Sequence, residues 1–129
     1  MVTGVGTDVV DIARFRDLRD LKERAEFFDQ VFTPAEILRA PDGAPQDTFY
    51  AALFATKEAL LKALGCGLEH GSFWKDIHIT PDGRPHLSGF LGRLAGEKSV
   101  SKIHVSHAFS DTSAVAFVLI ETTNDEVIV

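Results

Sequence analysis

Residues 50–67 are the stretch that most limits how this chain can fold. They read YAALFATKEALLKALGCG, with no proline and with glycine only near the end. Ala, Leu, Lys and Glu favour helix, and Gly65 and Gly67 are suited to stop one. The sequence therefore predicts one long helix, around which the rest of the chain is organised.

On this helix the large apolar residues share one broad sector, which we expect to face a core. The sector contains Tyr50, Leu53, Phe54, Leu60, Leu61 and Leu64. Lys57 lies in the middle of it, where a charged group is costly to bury without a partner. Lys57 therefore has to extend its amine to solvent or find a buried partner.

A second sector beside the first carries small residues together with one acid and one base. Its members are Ala51, Ala55, Glu58, Lys62 and Gly65. On an arbitrary helix, Glu58 and Lys62 most often form a surface ion pair worth only about a few tenths of a kcal/mol. The small neighbours also let a ligand or a second backbone approach while both charged groups point at it. The local sequence leaves both interpretations open.

Length and composition narrow the class of protein. A chain of 129 residues, 45% hydrophobic and 25% charged, fits one domain over residues 1–129, and its ten Phe predict a Phe-filled interior. A net charge of −6 argues against a general nucleic-acid binder. No apolar run reaches the roughly 18 residues of a membrane span, and no secretory signal is recognisable. The single cysteine excludes an internal disulfide, so we expect a cytoplasmic protein.

The first ten residues, rich in valine and interrupted by Gly4 and Gly6, predict a short first strand. Asp8 lies near its end. A carboxylate there, beside glycines that permit close backbone approach, is a common metal ligand. Asp8 is equally placed to cap the following helix, although Asp11 could fill that role instead. Local sequence favours neither role.

Residues 12–32 predict a charged helix with a break near residues 17–20, and its mixed charges favour a solvated surface. A second helix starts with Thr33 as its cap and Glu36 three residues later. Residues 40–48 predict a loop that leads into the long helix.

The second half of the chain predicts four more strands and a short helix. The strands lie at residues 76–80, 86–88, 102–106 and 114–120, and the helix at 90–96. Trp74 is expected to pack where the chain returns, and the apolar run at 114–120 should be a central strand. We expect an α+β fold, in which a small antiparallel sheet from the first, middle and last strands packs on the long helix.

Three pieces of the chain, in this order and at this spacing, carry a family resemblance. They are GVGTDVVDI at residues 4–12, FATKEALLKALG at 54–65, and IHVS at 103–106 followed by AVA at 114–116. With them the chain resembles the holo-[acyl-carrier-protein] synthases, the bacterial 4′-phosphopantetheinyl transferases, over nearly its whole length. FTPAE at residues 32–36, DI at 76–77 and GRP at 83–85 agree with this resemblance.

The resemblance implies a group-transfer reaction. In that family coenzyme A binds with Mg²⁺ on its pyrophosphate, and a serine hydroxyl of an acyl carrier protein attacks the β-phosphate. Phosphopantetheine moves to the serine, and 3′,5′-ADP leaves. The resemblance also implies a role in fatty acid biosynthesis and a homotrimer with the active site between subunits.

The resemblance further implies roles for individual residues. Asp8 and Glu58 would hold Mg²⁺ and Lys62 would contact phosphate; these three implied catalytic residues are called the carboxylate–lysine set below. The coenzyme A site would be lined by Lys62, Gly65, Gly67, Gly83, Pro85, His104 and Ser106. Arg14 would bind the acidic carrier protein. The proton of the attacking serine would go to Glu58 or to a water on the metal.

Four positions depart from the family's usual pattern. Leu53 stands in place of an arginine and Phe109 in place of a second histidine, while His107 appears two residues earlier. Cys66 replaces a small hydroxyl residue, and we expect it to pack rather than react. These departures keep open a second function, that of a non-catalytic relative that binds coenzyme A or carrier protein without turnover. The intact carboxylate–lysine set counts against that alternative, because a pure binder would not need it.

Overall fold

The long helix predicted from the sequence is the element against which the others pack. The computed structural model of this chain describes residues 1–18, 20–66 and 73–123, so the predicted site residue Gly67 lies outside the described residues. Helix α4 spans Pro45–Ala63. Its first residues therefore occupy the end of the segment 40–48, for which the sequence predicts a loop. A proline suits the first turn of a helix, because its missing N–H would have no helical partner there.

Helix α4 ends where its glycine signal predicts. Gly65 has a φ of +79°, the left-handed conformation that terminates helices. The amide of Gly65 donates to the Lys62 carbonyl at 3.0 Å, and the amide of Cys66 donates to the Leu61 carbonyl at 2.8 Å. The first bond lies inside the loop that the second one closes. Together they satisfy two carbonyls that the end of a helix would otherwise leave without partners.

The remaining elements follow the predicted order. They are β1 (Val2–Asp11), α1 (Ala13–Arg16), α2 (Leu21–Val31), α3 (Pro34–Leu38), a 3-10 turn (Trp74–Asp76), β2 (Ile77–Ile79), β3 (Pro85–Leu87), α5 (Gly89–Glu97), β4 (Val100–Phe109) and β5 (Ser113–Thr122). The predicted break separates α1 from α2. The predicted capping box of α3 is confirmed, with reciprocal bonds between Thr33 and Glu36. Among the described residues, no helix is long and apolar enough to cross a bilayer.

The main sheet has three antiparallel strands in the order β1–β5–β4, so β5 is central, as predicted. The middle strands do not join it, and the single sheet expected from the sequence is wrong in this respect. Strands β2 and β3 pair with each other as a separate hairpin. The amide of Ile79, on the other edge of β2, donates to Glu36 Oε2 at 2.8 Å, so a side chain takes the place of a neighbouring strand.

Strand β1 lies directly on α4 because glycines face the helix. A Cβ on Gly6 would stand 1.9 Å from the Ala59 carbonyl oxygen, and one on Gly4 would stand 2.1 Å from that of Ala63. The alanines that admit this second backbone are Ala59 and Ala63, which lie outside the small-residue sector predicted from the sequence. Side chains alternate along a strand, so Asp8 shares the helix-facing side with Gly4 and Gly6.

A cluster of aromatic rings fills the space between α1, α2 and α4. Neighbouring centroids lie 4.5 to 6.4 Å apart. The members are Phe15, Phe27, Phe28, Phe32, Tyr50 and Phe54. The tilted and edge-to-face arrangements are those that aromatic rings favour, and the Phe-filled interior predicted from composition is confirmed.

Lys57 finds a buried partner rather than solvent. Its side chain and that of Glu36 are both 0% exposed, with Nζ and Oε1 2.8 Å apart. Nζ also donates to the carbonyls of Val31 at 2.6 Å and Trp74 at 3.1 Å. Burial lowers the pKa of Lys57, and the Glu36 carboxylate opposes that shift. The pair joins α4 to α3, to the end of α2 and to the 3-10 turn.

Replacing Lys57 with Met tests this pair. Removing one partner leaves an uncompensated buried charge, so we expect the free energy of unfolding, measured by urea denaturation, to fall by about 3–5 kcal/mol. The control is Lys75→Met, whose partner Asp29 lies 3.8 Å away and is 85% exposed; its effect should stay below about 0.5 kcal/mol. A loss for Lys57→Met no larger than that of the control would contradict this account of the pair.

Candidate active site

Asp8 and Lys62 meet within one chain. Lys62 Nζ donates to Asp8 Oδ1 at 3.1 Å and to the carbonyl of Thr7 at 3.0 Å. The Asp8 side chain is 18% exposed and that of Lys62 is 53% exposed, so the ion pair lies at the rim of the β1–α4 contact. Two of the three members of the carboxylate–lysine set are therefore in direct contact.

Asp8 does not act as a helix cap. Helix α1 is preceded by Ile12 and shows no side-chain capping bond, so neither Asp8 nor Asp11 fills that alternative role. Strand β1 instead runs past α4 from Gly4 beside Ala63 to Gly6 beside Ala59, and Asp8 follows two residues later and meets the Lys62 side chain. This leaves the Asp8 carboxylate available at the site.

Glu58 lies one turn before Lys62 on α4, yet its partner is a different residue. Trp74 Nε1 donates to Glu58 Oε1 at 2.5 Å. The surface ion pair between Glu58 and Lys62, the ordinary interpretation of their spacing, does not form among the described residues. Lys62 turns to Asp8 and Glu58 to Trp74, so each of these two neighbours on α4 is held by a different partner.

The donor set suits a hard divalent cation. Asp8 offers carboxylate oxygens from β1, and Glu58 offers them from α4, one turn before Lys62. Within the described part of the chain, no cluster of three or more His, Cys, Asp or Glu side chains could hold a metal alone. A cation held by these two carboxylates would thus need oxygens from water or phosphate, as is usual for Mg²⁺ in proteins.

His104 and Ser106, called the β4 set below, lie on the opposite face of the sheet. On β5, the partner of His104 is Leu119 and the partner of Ser106 is Phe117. The β5 partner of Asp8 is Ala116. Side chains of neighbouring β5 residues point to opposite faces. The structure therefore does not bring the β4 set and the carboxylate–lysine set together within one chain.

His104 has a partner of its own on that outer face. Its Nε2 lies 2.7 Å from Glu121 Oε2. The hydrogen bond from His104 holds the pKa of Glu121 below its usual value. The contact with Glu121 orients the His104 imidazole through Nε2. The other ring nitrogen, Nδ1, is left to contact a ligand.

A basic cleft of about 720 Å³ joins His104 to the predicted loop residue Pro85. Its charged or titratable lining is Arg84, His86, Lys102 and His104. The sequence analysis assigned no role to Arg84, His86 or Lys102, although Arg84 lies between the two residues it did select. Gly83, with a φ of +84°, forms the turn that brings Arg84 and Pro85 to the cleft.

Three of the four positions that depart from the family pattern line one apolar cavity of about 630 Å³. Leu53, His107 and Phe109 all line it, together with Phe49 from α4 and Gly83 from the β2–β3 turn. These positions are far apart in sequence, so their convergence was not predictable from spacing. Cys66 is 8% exposed, as expected for a packing residue.

Arg14 packs against α4 at Phe54. Its guanidinium carbon stands 4.9 Å from the centre of the Phe54 ring, one turn before Glu58 on α4. A cation over an aromatic face is attracted to it, which orients Arg14. Trp74 packs on the same ring with centroids 6.1 Å apart, so Phe54 lies between Arg14 and the Trp74–Glu58 contact.

Trp74 is the functional candidate that the sequence analysis missed, because it was expected only to pack. A buried or half-buried indole needs a partner for its N–H, and that requirement was the available signal. Nothing local pointed to Glu58, which is 16 residues away.

Comparison with known proteins identifies the family of this chain. A model of the 4′-phosphopantetheinyl transferase superfamily matches residues 4–118. A holo-[acyl-carrier-protein] synthase of Methylobacterium sp. (strain 4-46) is 41% identical over 137 aligned positions, covering 98% of each chain.

Solved structures give the same family. The holo-[acyl-carrier-protein] synthase from Neisseria meningitidis has a TM-score of 0.79 at 29% identity, covering 95% of this chain and 100% of that one. The synthase from Bacillus anthracis str. Ames, solved in complex with CoA (3′,5′-ADP), has a TM-score of 0.70 at 29% identity, covering 95% and 99%. The fold, the family match and the 41% identical relative together establish that this chain belongs to the 4′-phosphopantetheinyl transferase superfamily.

Proposed function

We propose that this chain transfers the 4′-phosphopantetheine group of coenzyme A to a serine hydroxyl of an apo acyl carrier protein, releasing 3′,5′-ADP. The observation that carries the proposal is the contact of Asp8 with Lys62, which lies one turn after Glu58 on α4, in a member of this family. These are the groups that transfer from a diphosphate requires. The non-catalytic alternative gives no reason for placing two acids and a lysine on one surface.

Asp8 and Glu58 are the residues that would hold Mg²⁺ with the pyrophosphate of coenzyme A. When bound, the ion would neutralise charge on the diphosphate. Phosphoryl transfer depends on such neutralisation more than on covalent catalysis. Glu58 Oε1 is occupied by Trp74, while Oε2 makes no hydrogen bond with the described residues. Oε2 therefore has the greater free acceptor capacity for a ligand or for the serine proton.

Lys62 would contact the transferring phosphate. An ammonium has three N–H donors, and two are used on Asp8 and the Thr7 carbonyl. With its side chain 53% exposed, Lys62 can direct the third donor to a phosphate oxygen without leaving Asp8. Asp8 in turn orients the lysine.

The sheet supports assembly into a homotrimer. Its outer face exposes Val5 (52%), Val9 (65%), Val115 (40%) and Phe117 (42%), a contiguous apolar patch across β1 and β5. Such patches mark contact surfaces. The β4 set lies on the same face as this patch. A neighbouring subunit that covers the face would bring its carboxylate–lysine set to the β4 set of the first chain.

The coenzyme A site then has two contributors. The β4 set, Gly83 and Pro85 would come from one subunit, and Lys62 and Gly65 from its neighbour. The basic cleft beside His104 would take the phosphate-rich end of coenzyme A, because its cationic groups suit phosphate oxygens.

The transferase activity itself is tested by intact mass. We expect an apo acyl carrier protein incubated with the enzyme, coenzyme A and Mg²⁺ to gain one phosphopantetheine, and EDTA to abolish the gain. Glu58→Gln should lower kcat by more than about 100-fold. Loss of a residue that only orients a metal ligand typically lowers activity by about 10–100-fold, and loss of the ligand itself should lower it further. Glu97→Gln, an exposed acid on α5, is the matched control. An unmodified carrier protein with wild-type enzyme would favour the non-catalytic alternative.

Assembly is tested at the outer face. Wild-type protein should elute with about three times the chain mass of 14.1 kDa. Phe117→Glu places a charge in the apolar patch, so it should give monomers by light scattering and lose transferase activity together with assembly. Leu38→Glu, at an 88% exposed leucine on α3, serves as control. A fully active Phe117→Glu monomer would rule out a shared active site.

Carrier protein docking is tested at Arg14. Reversing its charge with Arg14→Glu should raise the KM for the acidic carrier protein by about tenfold, since one charged contact across an interface is worth about 1–2 kcal/mol. The KM for coenzyme A should stay within about twofold of wild type. Arg93→Glu on α5 controls for net charge. Equal changes in both KM values would refute the docking role of Arg14.

A further inference from the structure

The contact between Trp74 and Glu58 joins the interior of the protein to the proposed active site. Trp74 opens the 3-10 turn Trp74–Asp76, which precedes β2, and is the single tryptophan of the chain. Its indole N–H has one hydrogen to donate and no capacity to accept. At 2.5 Å, that hydrogen is committed to Glu58 Oε1.

Trp74 is itself held from two sides. Its carbonyl accepts from Lys57 Nζ at 3.1 Å, and its ring packs on Phe54. Lys57 immediately precedes Glu58 on α4 and is fixed in turn by Glu36 at 2.8 Å. A continuous series of contacts therefore runs from Glu36 through Lys57 and Trp74 to the Glu58 carboxylate.

This arrangement restricts what the Glu58 carboxylate can do. A free carboxylate at a half-buried helix position can rotate and bind a cation through one oxygen or both. With one lone pair of Oε1 taken by the indole N–H, the carboxylate cannot rotate freely, and Oε2 is the oxygen without a hydrogen bond to the described residues. Ligating carboxylates are commonly oriented in this way by a hydrogen-bonded neighbour.

We infer that Trp74 is a positioning residue for Glu58: its indole N–H holds Oε1 and so leaves Oε2 as the oxygen that would bind the divalent cation. The inference rests on the proposed function, because it takes Glu58 as a ligand. It assigns Trp74 a role in metal affinity that a purely packing residue would not have.

Two replacements separate the N–H from the ring. Trp74→Phe keeps an aromatic ring against Phe54 and removes the donor. Incorporation of benzothienylalanine at position 74 keeps the bicyclic shape and replaces only the N–H by sulfur, so it answers the question even where Trp74→Phe fails to fold. Phe73→Leu is the matched control, because Phe73 stacks on Phe90 at 4.5 Å in the same segment and is not a partner of Glu58.

The measurement is Mn²⁺ affinity by calorimetry in the presence of coenzyme A, with the whole protein. We expect both Trp74 replacements to weaken Mn²⁺ binding by about tenfold or more, the usual effect of losing such a neighbour. The Mg²⁺ concentration for half-maximal transfer should rise in parallel, while the KM for carrier protein stays within about twofold and Phe73→Leu binds Mn²⁺ as wild type does.

Failure of this inference is distinguishable from failure of the proposed function. Unchanged Mn²⁺ affinity in the benzothienylalanine protein, with wild-type transfer intact, would overturn the role of Trp74 alone. A wild-type protein that neither binds Mn²⁺ with coenzyme A nor modifies carrier protein would overturn the proposed function, and the inference with it.

Discussion

The buried contact between Lys57 and Glu36 is the interaction on which the rest of the structure depends. Beyond holding each other, these two side chains bind the Val31 and Trp74 carbonyls and the Thr33 and Ile79 amides. A buried ion pair rarely stabilises a protein more than apolar residues of the same volume would. We interpret its role as geometric, because it fixes α3, the end of α2, the 3-10 turn and β2 relative to α4, and through Trp74 it fixes Glu58.

The second constraint is the approach of β1 to α4 through Gly4 and Gly6. This approach sets the register that delivers Asp8 to Lys62, and it also determines which residues face outward. His104 and Ser106 fall on the other side of the sheet, beside an exposed apolar patch. A single chain thus carries two incomplete parts of the proposed site, and the same face that exposes one part is suited to bind another subunit.

The sequence predicted those features that depend on nearby residues. The capping box at Thr33, the stop at Gly65 and the central position of β5 each follow from a few neighbouring side chains. The position of Lys57 in an apolar sector marks it as anomalous, but its partner Glu36 is 21 residues away, where the local sequence indicates only a helix cap. The Trp74–Glu58 contact, the basic cleft and the separate β2–β3 hairpin depend on tertiary packing, which no local pattern encodes. The residues of the carboxylate–lysine set were selected through family resemblance, since Glu58 and Lys62 alone look like an ordinary surface pair.

The central claim is that one active site takes the carboxylate–lysine set from one chain and the β4 set from another. Subunit mixing tests it most directly, using Glu58→Gln and His104→Ala proteins that are each inactive alone. The two variants are dissociated, mixed in equal amounts and reassembled. About one quarter of the interfaces in a cyclic trimer should then join the intact β4 set of a Glu58→Gln chain to the intact carboxylate–lysine set of a His104→Ala chain. Transfer activity should recover to about one quarter of the wild-type value. No recovery of activity, in mixtures shown by mass spectrometry to contain mixed trimers, would contradict the account.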